Sequence, residues 1–202
     1  MTDGLSEPDA RWRLVGNSVM ISPLGLDFVP NDVAGAIARL LGVPEDGLVA
    51  NADAWDGYTA DRRRLLDHLG REHIDNTVFL TGDIHSSWAC DVDAALYPLS
   101  RSLATEIVTT SVTSDNVDDI LRVPPRSVSP LAEGVIRTLN RHIAYTELDS
   151  HGYVVVDVTA ERTQADWYHL ADRTSRGSGA RRAASLATVS GTQRLRRVRR
   201  AI

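Results

Sequence analysis

Eleven residues near the middle of the chain constrain its fold more than any others: Thr77-Val78-Phe79-Leu80-Thr81-Gly82-Asp83-Ile84-His85-Ser86-Ser87. The apolar run Val78 to Leu80 reads as a strand that is apolar on both faces, so it expects cover on both. It stops at Gly82, where a glycine lets the chain turn sharply. An aspartate and a histidine follow with one residue between them. That spacing aims a carboxylate and an imidazole into one pocket. Such a donor pair on the lip of a sheet suits a divalent metal, or a metal and a phosphate together. The alternative is a strand-end turn with an Asx-type bond and a surface histidine.

The chain has 202 residues with 43% hydrophobic content, enough to bury a core as one domain. A single cysteine excludes an internal disulfide. The absence of an 18-residue apolar run excludes a helical membrane span. The opening Met1-Thr2-Asp3-Gly4 is unlike a secretory signal. All 22 basic residues are arginine, which points to a GC-rich bacterial genome rather than to chemistry. Residues 1–172 hold 13 arginines against all 27 acids, a balance of −14, whereas 173–202 hold nine arginines and no acid. The division is therefore read as a main unit over 1–172 and an Arg-rich tail over 173–202. Such a tail can meet nucleic acid or anionic lipid. The alternation in Ala183-Ala184-Ser185-Leu186-Ala187-Thr188-Val189 and the turn at Ser190-Gly191-Thr192 favour a strand pair instead.

Trp12 to Val15 and Val19 to Ile21 predict a hairpin around Gly16-Asn17-Ser18. Residues 23–54 read as a long loop with one short helix near Ile37, Leu40 and Leu41. Thr59 is a candidate N-cap, and Leu65, Leu66 and Leu69 form the apolar stripe of a helix reaching about His73. Its arginines, Arg62 to Arg64, grip a phosphate or, more simply, form a solvated face. Trp88 to Val92 and Glu106 to Thr110 read as strands. Leu131 to Asn140 reads as a helix with Val135, Ile136 and Leu139 inward. Strands at 143–148, 153–158 and 163–169 close the core, joined by turns at Ser150-His151-Gly152 and Thr159-Ala160-Glu161. The fold class is α/β, with mixed-strand sheets flanked by helices.

Asp83 and His85 are the main candidates for catalysis and metal ligation. Asp115 and Asn116 end another strand and can reach the same face; the competing role is an N-cap for a helix starting near Val117. Trp55, Asp56 and Tyr58 can wall a pocket mouth or form an ordinary packed turn. His142 reads as structural or surface, and His68, His73, His151 and His169 lack ligand spacing. Ser86 and Ser87 have no Gly-x-Ser-x-Gly elbow around them, which argues against a serine hydrolase.

Five ordered segments carry a resemblance: Asp53-Ala54-Trp55-Asp56-Gly57-Tyr58, Arg62 to Leu69, Leu80 to Ala89, Ser111 to Asn116, and His142 to Thr159. In that order, from about Arg11 to about Leu170, they closely resemble the C-terminal half of the alkaline phosphatase D family, a branch of the calcineurin-like metallophosphoesterases. The resemblance implies part of a metallophosphoesterase-type αββα sandwich. It also implies metal-dependent hydrolysis of phosphate mono- or diesters, calcium and iron as cofactors, and Asp83 and His85 at the metal-phosphate centre. The family is often exported. Its early metal motifs have no match before Asp53, and Cys90 does not match the cysteine of its iron site. The sequence thus presents a partial site, expected to need an N-terminal half or to self-associate. The alternative function is an inactive fragment that serves only as a folded or binding module.

Overall fold

The structure, a computed structural model, describes residues 2–24, 54–93 and 101–202. Its elements are α1 (Thr2–Leu5), β1 (Arg13–Asn17), a 3-10 turn (Trp55–Tyr58), α2 (Thr59–Arg71), β2 (Thr77–Thr81), β3 (Ser87–Asp93) and β4 (Ser102–Val108). There follow α3 (Val117–Leu121), α4 (Ser129–Leu139), β5 (Ile143–Glu147), β6 (Gly152–Val158), β7 (Arg162–Leu170), β8 (Ala180–Val189) and β9 (Leu195–Arg197).

Two sheets form. The first has the order β1-β2-β4-β3-β5, and the second is the meander β6-β7-β8-β9. In the first sheet β1, β2 and β4 are parallel, while β3 runs antiparallel to β4 and β5. This is the mixed α/β architecture expected.

β2 shows why the layers stack. Val78 and Phe79 are adjacent, so they point to opposite faces, and both are fully buried. Phe79 packs with Leu65, Leu66 and Leu69 of α2. Val78 packs with Ala165 and Trp167 of β7 and Leu186 of β8. The first sheet is thus covered by helices on one side and by the second sheet on the other. α4 extends the helical cover, setting Ala132 and Ile136 against Trp88, Cys90 and Val108. Between the sheets, Tyr145 meets Trp167 edge to face at 5.3 Å, and Trp167 Nε1 donates to the Val108 carbonyl at 3.0 Å.

Several local expectations change. The hairpin at Gly16-Asn17-Ser18 does not form, because β1 pairs in parallel with β2 rather than with residues 19–21. Met20 and Ile21 are buried instead, and the Ile21 and Ser22 amides donate to the Glu106 carboxylate at 2.9 and 2.8 Å. Thr59 is the first helical residue of α2 rather than its cap, since the 3-10 turn runs straight into the helix. β4 starts at Ser102, ahead of the expected Glu106. In α4 the inward face is Ala132, Glu133 and Ile136, whereas Leu139 is exposed. Ser150-His151-Gly152 is no hairpin turn, because β5 belongs to the first sheet and β6 to the second. The reading of 25–53 lies outside the described residues.

At Gly152 the crossing is tight: a Cβ there would lie 2.0 Å from the Tyr168 carbonyl oxygen. The Arg-rich segment supplies β8 and β9, with Arg197 over the Tyr145 ring and Arg194 paired with Asp91 at 3.2 Å.

Candidate active site

The parallel strands β1, β2 and β4 all end on one edge of the first sheet, at Asn17, Thr81 and Val108. In α/β sheets ligands collect at the carboxyl ends of such strands. β4 lies between β2 and β3 in the sheet, so residues 82–86 must cross over its end to start β3. The outlet of β4, residues 109–116, emerges beneath that crossing. Topology alone therefore brings the Gly82–Ser86 loop to the Ser111–Asn116 loop.

The turn is not made at Gly82. Positive φ falls on Asp83 (71°) and His85 (53°). The Ile84 amide donates to the Gly82 carbonyl at 2.9 Å, so Asp83 centres a γ-turn of the rare positive-φ kind. Left-handed backbone at residues with a Cβ costs about 1 kcal/mol or more each and persists where neighbours enforce it. The enforcing contacts lie below. Ser86, buried, donates to the Ile84 carbonyl at 3.2 Å and accepts from Trp88 Nε1 at 2.7 Å. The Thr109 amide donates to the Thr81 carbonyl at 3.0 Å. Asp83 stands exposed at the apex and His85 is half-buried.

His85 Nδ1 lies 3.0 Å from the Asp115 carbonyl oxygen. A carbonyl only accepts, so the proton sits on Nδ1. Nε2 is then the nitrogen of the neutral ring that keeps a lone pair.

Residues 115–116 are indeed brought to His85, but by backbone rather than side chain. Asn116 is buried and structural. It caps α3, its amide accepted by the Asp119 carboxylate at 3.1 Å, and its Nδ2 donates to the Asp149 carbonyl at 2.7 Å. The Asp115 carboxylate pairs with Arg173 at 3.2 Å. Trp55 reaches the same edge of the sheet. Its Nε1 donates to Asn17 Oδ1 at 3.2 Å, and Asn17 Nδ2 approaches Thr81 Oγ1 at 3.4 Å. Asp56 instead accepts the Leu24 amide at 3.1 Å. Tyr58 is exposed and, with Val19, Trp55 and Asp61, lines a separate pocket of about 280 Å³.

Of two supporting residues, Glu106 carries no signal in the sequence and Arg62 takes a role other than those read there. Glu106 is fully buried in β4, where Thr81 Oγ1 donates to it at 2.7 Å besides the two amides above. Arg62 sits across from it, donating to the Ile21 carbonyl at 2.7 Å, so it is neither a phosphate grip nor a solvated side chain. A buried acid at a strand position shows its value only once its partners are in place.

Asp83 offers a hard carboxylate oxygen and His85 a borderline imidazole nitrogen, donors of the kinds that metal sites use. Two donors are short of the three or more that protein metal sites use. Among the described residues no group of three or more His, Cys, Asp and Glu side chains is placed to hold a metal ion. The described residues alone do not make a metal centre.

A helix-covered mixed sheet packed on a second sheet, with an aspartate and a histidine at the ends of its parallel strands, defines a broad class of α/β sandwich domains, and comparison narrows it. Residues 1–167 match the family model described as PhoD-like phosphatase. Alkaline phosphatase D of Bacillus subtilis (strain 168) is 32% identical over 120 residues, 59% of this chain and 19% of that protein. A solved structure described as "Structure of PhoD" superposes with a TM-score of 0.73 at 24% identity, covering 100% of this chain and 34% of its own. This chain belongs to the PhoD-like phosphatase family. It spans about a fifth of the length of the curated relative and a third of that of the solved structure.

Proposed function

We propose that this chain provides the Asp83–His85 half of a metal-dependent phosphoester hydrolase site, acting on phosphate mono- or diesters. Family membership supports the chemistry. The observation that carries the assignment to these residues is the strained crossing loop, which holds an exposed carboxylate and a tautomer-fixed imidazole at the carboxyl ends of three parallel strands. Positive φ falls on two polar residues of one loop, on either side of Ile84, and such strain clusters at functional sites.

In this reading Asp83 supplies an anionic oxygen and His85 supplies Nε2, with calcium and iron as the metals the family resemblance implies. The remaining donors come from outside the described residues; because the early metal motifs of the family have no match before Asp53, the reading takes the isolated chain as catalytically incomplete. Assay of the isolated chain with 4-nitrophenyl phosphate and its bis-ester, in calcium with and without iron, should give no turnover above blank. Turnover abolished by Asp83→Asn would show a complete site and overturn the incompleteness.

A further inference from the structure

We propose that Arg173 is a positioning residue for His85: from the β7–β8 connection it fastens the Thr113–Asp119 segment, so that the Asp115 carbonyl selects the Nδ1–H tautomer and leaves Nε2 as the nitrogen with the lone pair. The inference rests on the reading of His85 as a site residue, and concerns a side chain in a part of the sequence that carries none of the motif.

The contacts are specific. Arg173 Nη2 donates to Asp115 Oδ1 at 3.2 Å and to Asp119 Oδ1 at 3.0 Å. Nη1 donates to the Thr113 carbonyl at 3.1 Å and pairs with Asp119 Oδ2 at 2.9 Å. One guanidinium therefore spans the loop before α3 and the first turn of α3 itself. Two of the partners, Thr113 and Asp119, bracket Asp115, itself the third, whose carbonyl holds His85. His151 Nε2 lies 2.6 Å from Nη1 and 3.0 Å from the Ser114 carbonyl.

The arrangement needs a fork. Arginine presents several N–H donors in a fixed plane, and both of its terminal nitrogens are used here; a lysine ammonium is a single point that cannot span the same acceptors. Asp115 otherwise has little to fix it, since its side chain is 67% exposed. Orientation of a ligating imidazole through its other nitrogen is the usual way in which surrounding groups select the tautomer.

The test reads the tautomer directly. Nitrogen-15 NMR of histidine-labelled full chain, at a pH where His85 is neutral, should show Nδ1 protonated and Nε2 bare. In Arg173→Gln the ratio of Nδ1–H to Nε2–H should fall by roughly fivefold, the ratio one ordinary hydrogen bond supports. Arg173→Lys should not restore it. Asp115→Ala removes one anchor at an exposed site while keeping the carbonyl, and should shift the ratio the same way by a smaller factor. It stands as the test if Arg173→Gln does not fold. An Nε2–H ring in the unaltered protein, or an unchanged ratio in the folded variants, would overturn the proposal. Neither result depends on whether the chain hydrolyses an ester, so failure of the positioning role is distinguishable from failure of the hydrolase reading.

Discussion

At Asp83 the backbone and the side chain have opposing requirements. With φ at 71°, the position would favour glycine, yet it carries the carboxylate on which the proposed site depends. Asp83→Ala should therefore be less stable than Asp83→Gly by about 1 kcal/mol, measured by urea unfolding, since both lose the carboxylate and only alanine keeps the Cβ in the left-handed region. Equal stabilities would mean that the turn relaxes without strain. His169 offers a second residue-scale test. It is buried beside Ser87, and burial, followed by the nearby Arg181 and Arg126 charges, lowers its pKa from 6.5 to about 4. The unfolded chain thus takes up a proton before the folded one. The stability this residue contributes is fully present above about pH 6.5, is lost as pH falls below it, and stops changing below about 4. The loss amounts to about 3 kcal/mol at most. Unfolding free energies at pH 7.5 and 5.0 should differ less in His169→Gln than in the unaltered chain.

At the scale of elements, what was legible in the sequence follows from how local each signal is. α2 was readable because Leu65, Leu66 and Leu69 repeat at helical spacing, and all three are buried against the first sheet. Leu69→Ala should cost about 2–5 kcal/mol, checked by thermal or urea unfolding; a cost below 1 kcal/mol would mean the helix does not cover Phe79. β2 was readable from its double-faced apolar run. The partner of β1 was not, because a hairpin and a parallel pairing use the same apolar residues and differ only in long-range contacts. β5 and β6 likewise look like one hairpin in sequence, and only the sandwich separates them. The crossover at Gly152 should make Gly152→Ala strongly destabilising, since the added methyl meets the Tyr168 backbone, which cannot yield as a flexible side chain could. An alanine variant of unchanged stability would show that β6 can slide on β7.

Across the whole molecule, the site is a product of topology more than of motif. The Asp-x-His spacing was visible, and so was the nearness of residues 115–116. The roles were not. Asn116 serves the cap of α3, Asp56 serves Leu24, and the strand-end network of Asn17, Thr81 and Glu106 gave no signal because its residues are far apart in sequence. The segment that sequence composition marks as an Arg-rich tail provides β8 and β9 and, through Arg173, a hold on the Thr113–Asp119 segment. Both faces of β2 are covered by residues of this chain, so the first sheet has its core cover, although apolar side chains such as Tyr153 and Val155 stay exposed on β6. Among the described residues the sheet ends at β1, and Leu14 on that edge is half exposed.

The central claim is that the crossing loop after β2 is the part of this chain that meets metal and phosphate. The most direct measurement is backbone amide NMR of the full chain titrated with calcium, alone and then with inorganic phosphate. The account expects shift changes confined to residues 82–86 and 109–116, weak in affinity because the donor set is partial, and abolished in Asp83→Asn. Changes centred elsewhere, or changes at this loop that persist in Asp83→Asn, would contradict it.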